Sequence, residues 1–195
     1  MALTRKSSLK QVAIAVGSAL RKHGIHGVLT GGACANVYTK GGYVSGDVDV
    51  VLSGRVSQAA LDKAMDSVGF KRSGDRYIHP GLDYFVEFPP GPLAIGSDVM
   101  IRPVTIKSGA HATPSLSATD SCRDRLAAYF HWKDRQSFET AVQIAIVNRI
   151  NLDVVRAWSK KEGRLDAFEE FLSEVDRRRG TAKRRRSTGP KRPTS

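Results

Sequence analysis

"LTGGACANVYTKGGYVSGDVDVVL", residues 29–52, decides how this chain folds. It closes on Val48-Asp49-Val50-Val51-Leu52, a run of strand composition that nevertheless carries Asp47 and Asp49 on alternate positions. A pleated strand points alternate side chains to one face, so the two carboxylates share a face with Cα atoms about 7 Å apart. Like charges held side by side repel, and burying them without a partner is costly. Either that face is open to water or something positive sits between them. Upstream, "VLTGGACANVY" reads as a strand running into Gly31-Gly32 at the start of a helix. Two glycines there let backbone N–H groups approach a phosphate closely, and the helix N-terminus favours negative charge. A simple tight turn is the plainer alternative.

Downstream, "LDYFVEFPPG" predicts a second strand, stopped by Pro89-Pro90. Asp83, Phe85 and Glu87 share one of its faces, and Tyr84, Val86 and Phe88 the other. A third carboxylate from a neighbouring strand would complete a site for Mg²⁺ (or Mn²⁺), a hard cation that prefers carboxylate and phosphate oxygens. Metal ions held this way can clamp an in-line phosphoryl displacement. Glu87 pairing with a Lys or Arg at the sheet edge is the alternative, and Asp83 competes as a ligand from the strand start.

The surrounding pattern predicts an α+β fold. A helix over about 8–22, inward through Leu9, Val12, Ala13, Val16, Ala19 and Leu20, precedes a short strand "HGVLT". Ser57 is a candidate N-cap for a helix with Leu61, Ala64, Met65 and Val68 inward. "FKRSGDRYIHP" reads as a hairpin turning near Ser73-Gly74, and "VMIRPVTIK" as the strand that closes a small mixed sheet. From Asp120 onward the periodicity is helical, with four helices and a Thr/Asp cap expected at the first. Trp132 and Trp158, at helical spacing from other apolar residues, are expected in the core. The organisation is a sheet-bearing core over 1–115, a helical part over 116–176, and a basic tail over 177–195 that cannot bury enough apolar surface to fold alone.

Of the net charge of +12, that tail supplies nine Lys or Arg and no acid. Arg177, Arg178, Arg179, Lys183, Arg184, Arg185 and Arg186 are candidate phosphate contacts for RNA or another nucleic acid, with a merely solubilising tail as the alternative. No apolar run approaches the roughly 20 residues that span a bilayer, so no membrane partner is expected. Two cysteines without a CxxC, and five histidines without metal-like spacing, argue for a reducing cytoplasm and against a zinc site.

Taken together, residues 29–52 resemble the core signature of the nucleotidyltransferase superfamily (polymerase-beta-like fold): strand, Gly-Gly, short helix, then Asp-hydrophobic-Asp on the next strand. Within it the chain is most similar to the AbiE-type abortive-infection toxin branch and its uncharacterised relatives, over about 25–90 and more loosely over 119–145. The resemblance implies that Gly31 and Gly32 hold the triphosphate of an NTP, with Ser45 close before the acid pair. It implies Asp47, Asp49 and Glu87 as metal ligands and catalytic acids, Glu87 also as the base for an attacking hydroxyl. In the later helix it implies a basic residue at the phosphates and a following Asp. Arg125 and Asp134 are the candidates, with Arg123 and Lys133 as alternatives. Ala33 stands where many members have Ser or Thr, and the Arg often found shortly before the acid pair is missing.

The expected activity is Mg²⁺-dependent transfer of an NMP from NTP to an acceptor hydroxyl, RNA or tRNA being favoured by the basic tail. The resemblance adds a toxin role with a separate antitoxin partner. A non-catalytic nucleotide- or nucleic-acid-binding protein on the same fold is the alternative, and a DxD glycosyltransferase a weaker one.

Overall fold

The computed structural model describes residues 3–187, with side chains from 3 to 181. Among the described residues seven strands form one mixed sheet in the order β3-β4-β5-β2-β1-β7-β6. They are β1 (Gly27–Leu29), β2 (Asp47–Leu52), β3 (Lys71–Ser73), β4 (Arg76–Ile78), β5 (Phe85–Glu87), β6 (Val104–Ser108) and β7 (His111–Ser115). The helices are α1 (Leu9–Lys22), α2 (Gly31–Tyr38), α3 (Gln58–Asp66), α4 (Ala118–Trp132), α5 (Arg135–Val147), α6 (Leu152–Lys161) and α7 (Leu165–Ser187). No described helix is long and apolar enough to cross a membrane.

Local chemistry accounts for the helix starts. Ser8 and Gln11 close a capping box on α1, each side chain accepting from the other's backbone N–H at 3.3 and 2.8 Å. Ser57 caps α3 as its sequence predicts. The cap of α4 is Ser117, which accepts from Asp120 N–H, and not the expected Thr/Asp pair.

The sheet buries one face under helices. Val48, Val50, Val86 and Tyr77 point to that face and are buried, as is Leu29 opposite Val50. α1 crosses β7 so closely that a Cβ on Gly17 would lie 1.8 Å from Thr113 Oγ1, which fixes a glycine there. α2 lies against β2, and α4 to α7 extend the layer beyond it. One apolar cluster runs unbroken from Leu9 to Val175 across the 115/116 junction. Polar ties reinforce it: Tyr38 Oη donates to Leu116 O at 2.8 Å, and Asn148 Nδ2 to Tyr38 O at 2.7 Å.

Three expectations need correction. Residues 99–103 are not strand; β6 begins at Val104, and β7, which the sequence did not announce, lies between β6 and β1. Trp158 is buried, stacked on Phe130 with its Nε1 donating to Ile95 O, but Trp132 ends α4 at 77% exposure. The expected tail boundary at 177 falls inside α7, which continues to Ser187. Arg177 pairs with Glu174, Arg178 with Glu174 and Glu139, and Arg179 Nη2 donates to Ala145 O in the last turn of α5. These acids and the carbonyl end of α5 neutralise the first basic residues and let the helix run on. The side chains of Lys183, Arg184, Arg185 and Arg186, and all of 188–195, lie outside the described residues.

Candidate active site

β2 and β5 run parallel with Asp47 opposite Phe85 and Asp49 opposite Glu87. That register turns the alternation of each strand into one acidic surface: Asp47, Asp49 and Glu87 stand on the face away from Val48 and Val86. One carboxylate oxygen from each lies within 4.8 Å of the other two, a spacing that fits ligation of a divalent cation. All three are half-buried. Burial, then the charges of Asp47 and Glu87, push the Asp49 carboxyl up to about 6. Among the described residues no Lys or Arg forms an ion pair with any of the three. The Arg76 guanidinium, opposite Glu87 across β4 and β5, lies instead over the Phe85 ring at 4.9 Å, so the edge-pairing alternative for Glu87 is not what the structure shows.

The glycine pair is built into the same site. Thr30 N–H donates to Asp49 O at 3.0 Å, drawing the β1–α2 turn onto β2. Gly31, the first residue of α2, has φ +60, and a Cβ on it would lie 2.0 Å from Asp49 Oδ2. A Cβ on Gly32 would lie 2.2 Å from Ser45 Oγ. Only glycine lets the helix start approach the carboxylates this closely. Thr30, the N-cap residue, makes no side-chain cap, so the N–H groups at the start of α2 are left for another acceptor. Ser45 Oγ donates to Asp47 Oδ1 and orients that carboxylate.

α4 contributes Arg125, whose Nε and Nη2 both donate to Asp124 Oδ2, at 3.1 and 2.8 Å. Its charge reaches Asp49 and Tyr43, opposing the rise of the Asp49 carboxyl. Asp134 caps α5: its carboxylate accepts from the N–H groups of Gln136 and Ser137 and from Ser137 Oγ. Those bonds, more than Arg125, hold it below the ordinary carboxylate range. Arg123 is buried against Asp98 and Asp120, and Lys133 ends α4 in the left-handed region with its Nζ near the Tyr129 ring. Of the four residues the later helix offered, Arg125 alone is felt at the acidic face. Asp124 and Tyr43 were not anticipated. Tyr43 places a ring carbon 3.2 Å from where a Gly32 Cβ would be, and Asp124 adds negative charge felt by Asp49. Asp124 was hidden in "CRDRL", where alternating charges look like an ordinary solvated helix face.

No protein-family model matches the chain, and neither the curated proteins nor the solved structures give a significant match to it.

Proposed function

We propose that this protein is a Mg²⁺- or Mn²⁺-dependent nucleotidyltransferase that moves an NMP from NTP to an acceptor hydroxyl. The observation that carries the reading is the convergence of Asp47, Asp49 and Glu87 within 4.8 Å beside the uncapped start of α2. An acidic cluster alone would repel a triphosphate; an adjoining row of free N–H groups would receive one. The three like charges, with Asp49 pushed up to about 6, fit a bound divalent cation as the missing counter-charge. Bound there by Asp47, Asp49 and Glu87, the metal would neutralise charge developing on the transferred phosphoryl group.

The chain's own groups do the rest. Gly31 and Gly32 bind phosphate oxygens through their N–H groups, and Arg125 exchanges part of its hold on Asp124 for the same anion. Ser45 fixes Asp47. The acceptor oxygen forms a bond to the α-phosphorus while the bond from that phosphorus to the α–β bridging oxygen breaks. Pyrophosphate leaves with that electron pair, and Glu87 takes the acceptor's proton.

Incubation of the full chain with labelled NTPs, Mg²⁺ and total RNA tests this. Wild type is expected to label RNA and Asp47→Ala/Asp49→Ala to leave it unlabelled. Equal absence of label from both proteins, under Mg²⁺ and Mn²⁺ with all four NTPs, defeats the enzymatic reading. Calorimetric binding of Mg²⁺-NTP without transfer would then support the non-catalytic alternative.

A further inference from the structure

The run "VMIRPVTIK", residues 99–107, has strand composition throughout, yet only its second half is paired, as β6 against β7. β6 ends the sheet, so its other side has no neighbouring strand among the described residues. Ahead of it, residues 99–103 are neither helix nor strand, and the N–H groups of Val99, Ile101 and Arg102 meet no acceptor among the described residues. A pocket of about 330 Å³ opens between this segment and α6, its lining including Val99, Met100, Val154, Ala157, Trp158 and Lys161. Of the seven large hydrophobic side chains exposed among the described residues, three line this pocket and a fourth, Val104, begins β6. Such clustering marks a contact surface, whereas single exposed apolar residues are ordinary. The segment is also held firmly. Trp158 Nε1 donates to Ile95 O at 3.0 Å, and Ser97 N–H and Oγ both donate to Glu162 Oε1, at 2.8 and 2.6 Å. Asp98 pairs with Arg123 and accepts from Met100 N–H at 2.9 Å. Val99 and Met100 are therefore presented in a fixed position against α4 and α6.

We propose that this edge and pocket take an extended, acidic segment of a partner protein, which continues the sheet past β6 and lodges an apolar side chain in the pocket. The proposal is independent of the metal site and of the nucleotidyltransferase reading. Open N–H groups next to exposed apolar side chains call for a peptide backbone; a small apolar ligand would fill the pocket and leave those groups without an acceptor. The sign of the partner's charge follows from the rim. Lys161 lines the pocket, Arg102 and Lys107 lie on the edge itself, and among the described residues none of the three forms an ion pair. The charge of Lys161 reaches Asp98, but Arg123 already holds that carboxylate. The same cations count against a second copy of this chain as the occupant, because edge-to-edge pairing about a two-fold axis would bring Arg102 and Lys107 of one copy beside those of the other. Lys and Pro are common guards of an edge against its own kind, and Lys107 with Pro103 serves that purpose here without repelling an acidic strand.

Selection of a displayed library of random dodecapeptides on the immobilised full chain, followed by fluorescence anisotropy with the enriched peptides, provides the test. Those peptides are expected to alternate Asp or Glu with apolar residues. Arg102→Glu/Lys161→Glu and Met100→Ala/Val154→Ala, all at exposed positions, are each expected to weaken their binding about tenfold. Hydrogen exchange at the Val99 and Ile101 amides, fast in the free protein, is expected to slow on binding. Enrichment of basic or purely apolar peptides, or no enrichment, overturns the proposal. Acidic peptides that bind both double variants as tightly as wild type, or that leave the two amides unprotected, overturn it as well. A wild type that sediments as a dimer, with Met100→Ala/Val154→Ala a monomer, would overturn it and assign the face to a second copy. None of these results bears on transfer, which Asp47→Ala/Asp49→Ala tests separately.

Discussion

Two acidic clusters sit in this molecule and have opposite constitutions. At one, Asp98 and Asp120 close on Arg123, a guanidinium with only 4% of its side chain exposed. At the other, Asp47, Asp49 and Glu87 converge with no ion-paired Lys or Arg among the described residues, Arg125 being turned to Asp124. The electrostatic outcomes diverge accordingly. Arg123 holds the Asp98 carboxyl below its ordinary range, while burial and like charge push Asp49 up to about 6. The first cluster is neutralised from within: it ties the 95–98 segment to α4, and the Arg123 guanidinium lies over the Trp158 ring. The second holds three carboxylates without an ion-paired Lys or Arg among the described residues, which is why it carries the metal in the proposed function. Neutralisation from within accounts for the first cluster, and the second is the one on which the proposed chemistry rests.

The sharpest way to break the contrast is to remove the unneutralised acids. Asp47→Ala or Asp49→Ala should lower metal-dependent NMP transfer by at least about a thousandfold, measured as label incorporated into RNA. The same loss from Arg123→Ala at matched folded fraction would erase the distinction. That variant should instead strand Asp98 and Asp120 and cost about 3–5 kcal/mol in stability, read from the denaturant midpoint.

A subtler change keeps every carboxylate. Gly31→Ala puts a Cβ into Asp49 Oδ2 and strains a left-handed backbone, so the acidic face must open. Transfer should fall about a hundredfold and metal affinity with it, a displacement of about 1 Å being enough for such a loss. The smallest effect has the reverse sign. Asp49 is raised in the folded state from an ordinary 3.8 to about 6, so its ionisation costs the metal-free fold nothing below pH 4 and its full amount above pH 6. Asp49→Asn should therefore stabilise the metal-free protein increasingly as pH rises through that window. By pH 7 the gain is about 2 kcal/mol after allowing for solvent screening, read as the difference in melting temperature from wild type. Saturating Mg²⁺ at pH 7 should remove that advantage by stabilising wild type alone.

The acidic pair and the glycine pair were legible because each obeys a short-range rule. Alternate positions on a strand share a face, and glycine stands where backbone must approach closely. The same rules delivered the Ser57 cap and the 71–78 hairpin. What escaped depends on distant partners. β7 reads "HATPS", and Pro114 argues against an interior strand. The strand survives because β1 pairs with it only at Leu29 and Ser115, leaving the proline's missing N–H unneeded on that side. Arg123 and Arg125 are indistinguishable in sequence, two positions apart on α4, yet one is committed to Asp98 and the other is felt by Asp49. Composition likewise marked 177 as the start of an unstructured tail, because the acids that support the helix there, Glu139 and Glu174, lie 39 and 4 residues back from Arg178.

The unbroken apolar cluster from Leu9 to Val175 has a practical corollary. The carboxylates ride on the sheet and Arg125 on α4, with α2 wedged between them, so no piece of the chain carries a whole site. A gene cut at 115/116 should yield two insoluble halves, and heat should abolish catalysis and structure in a single cooperative event.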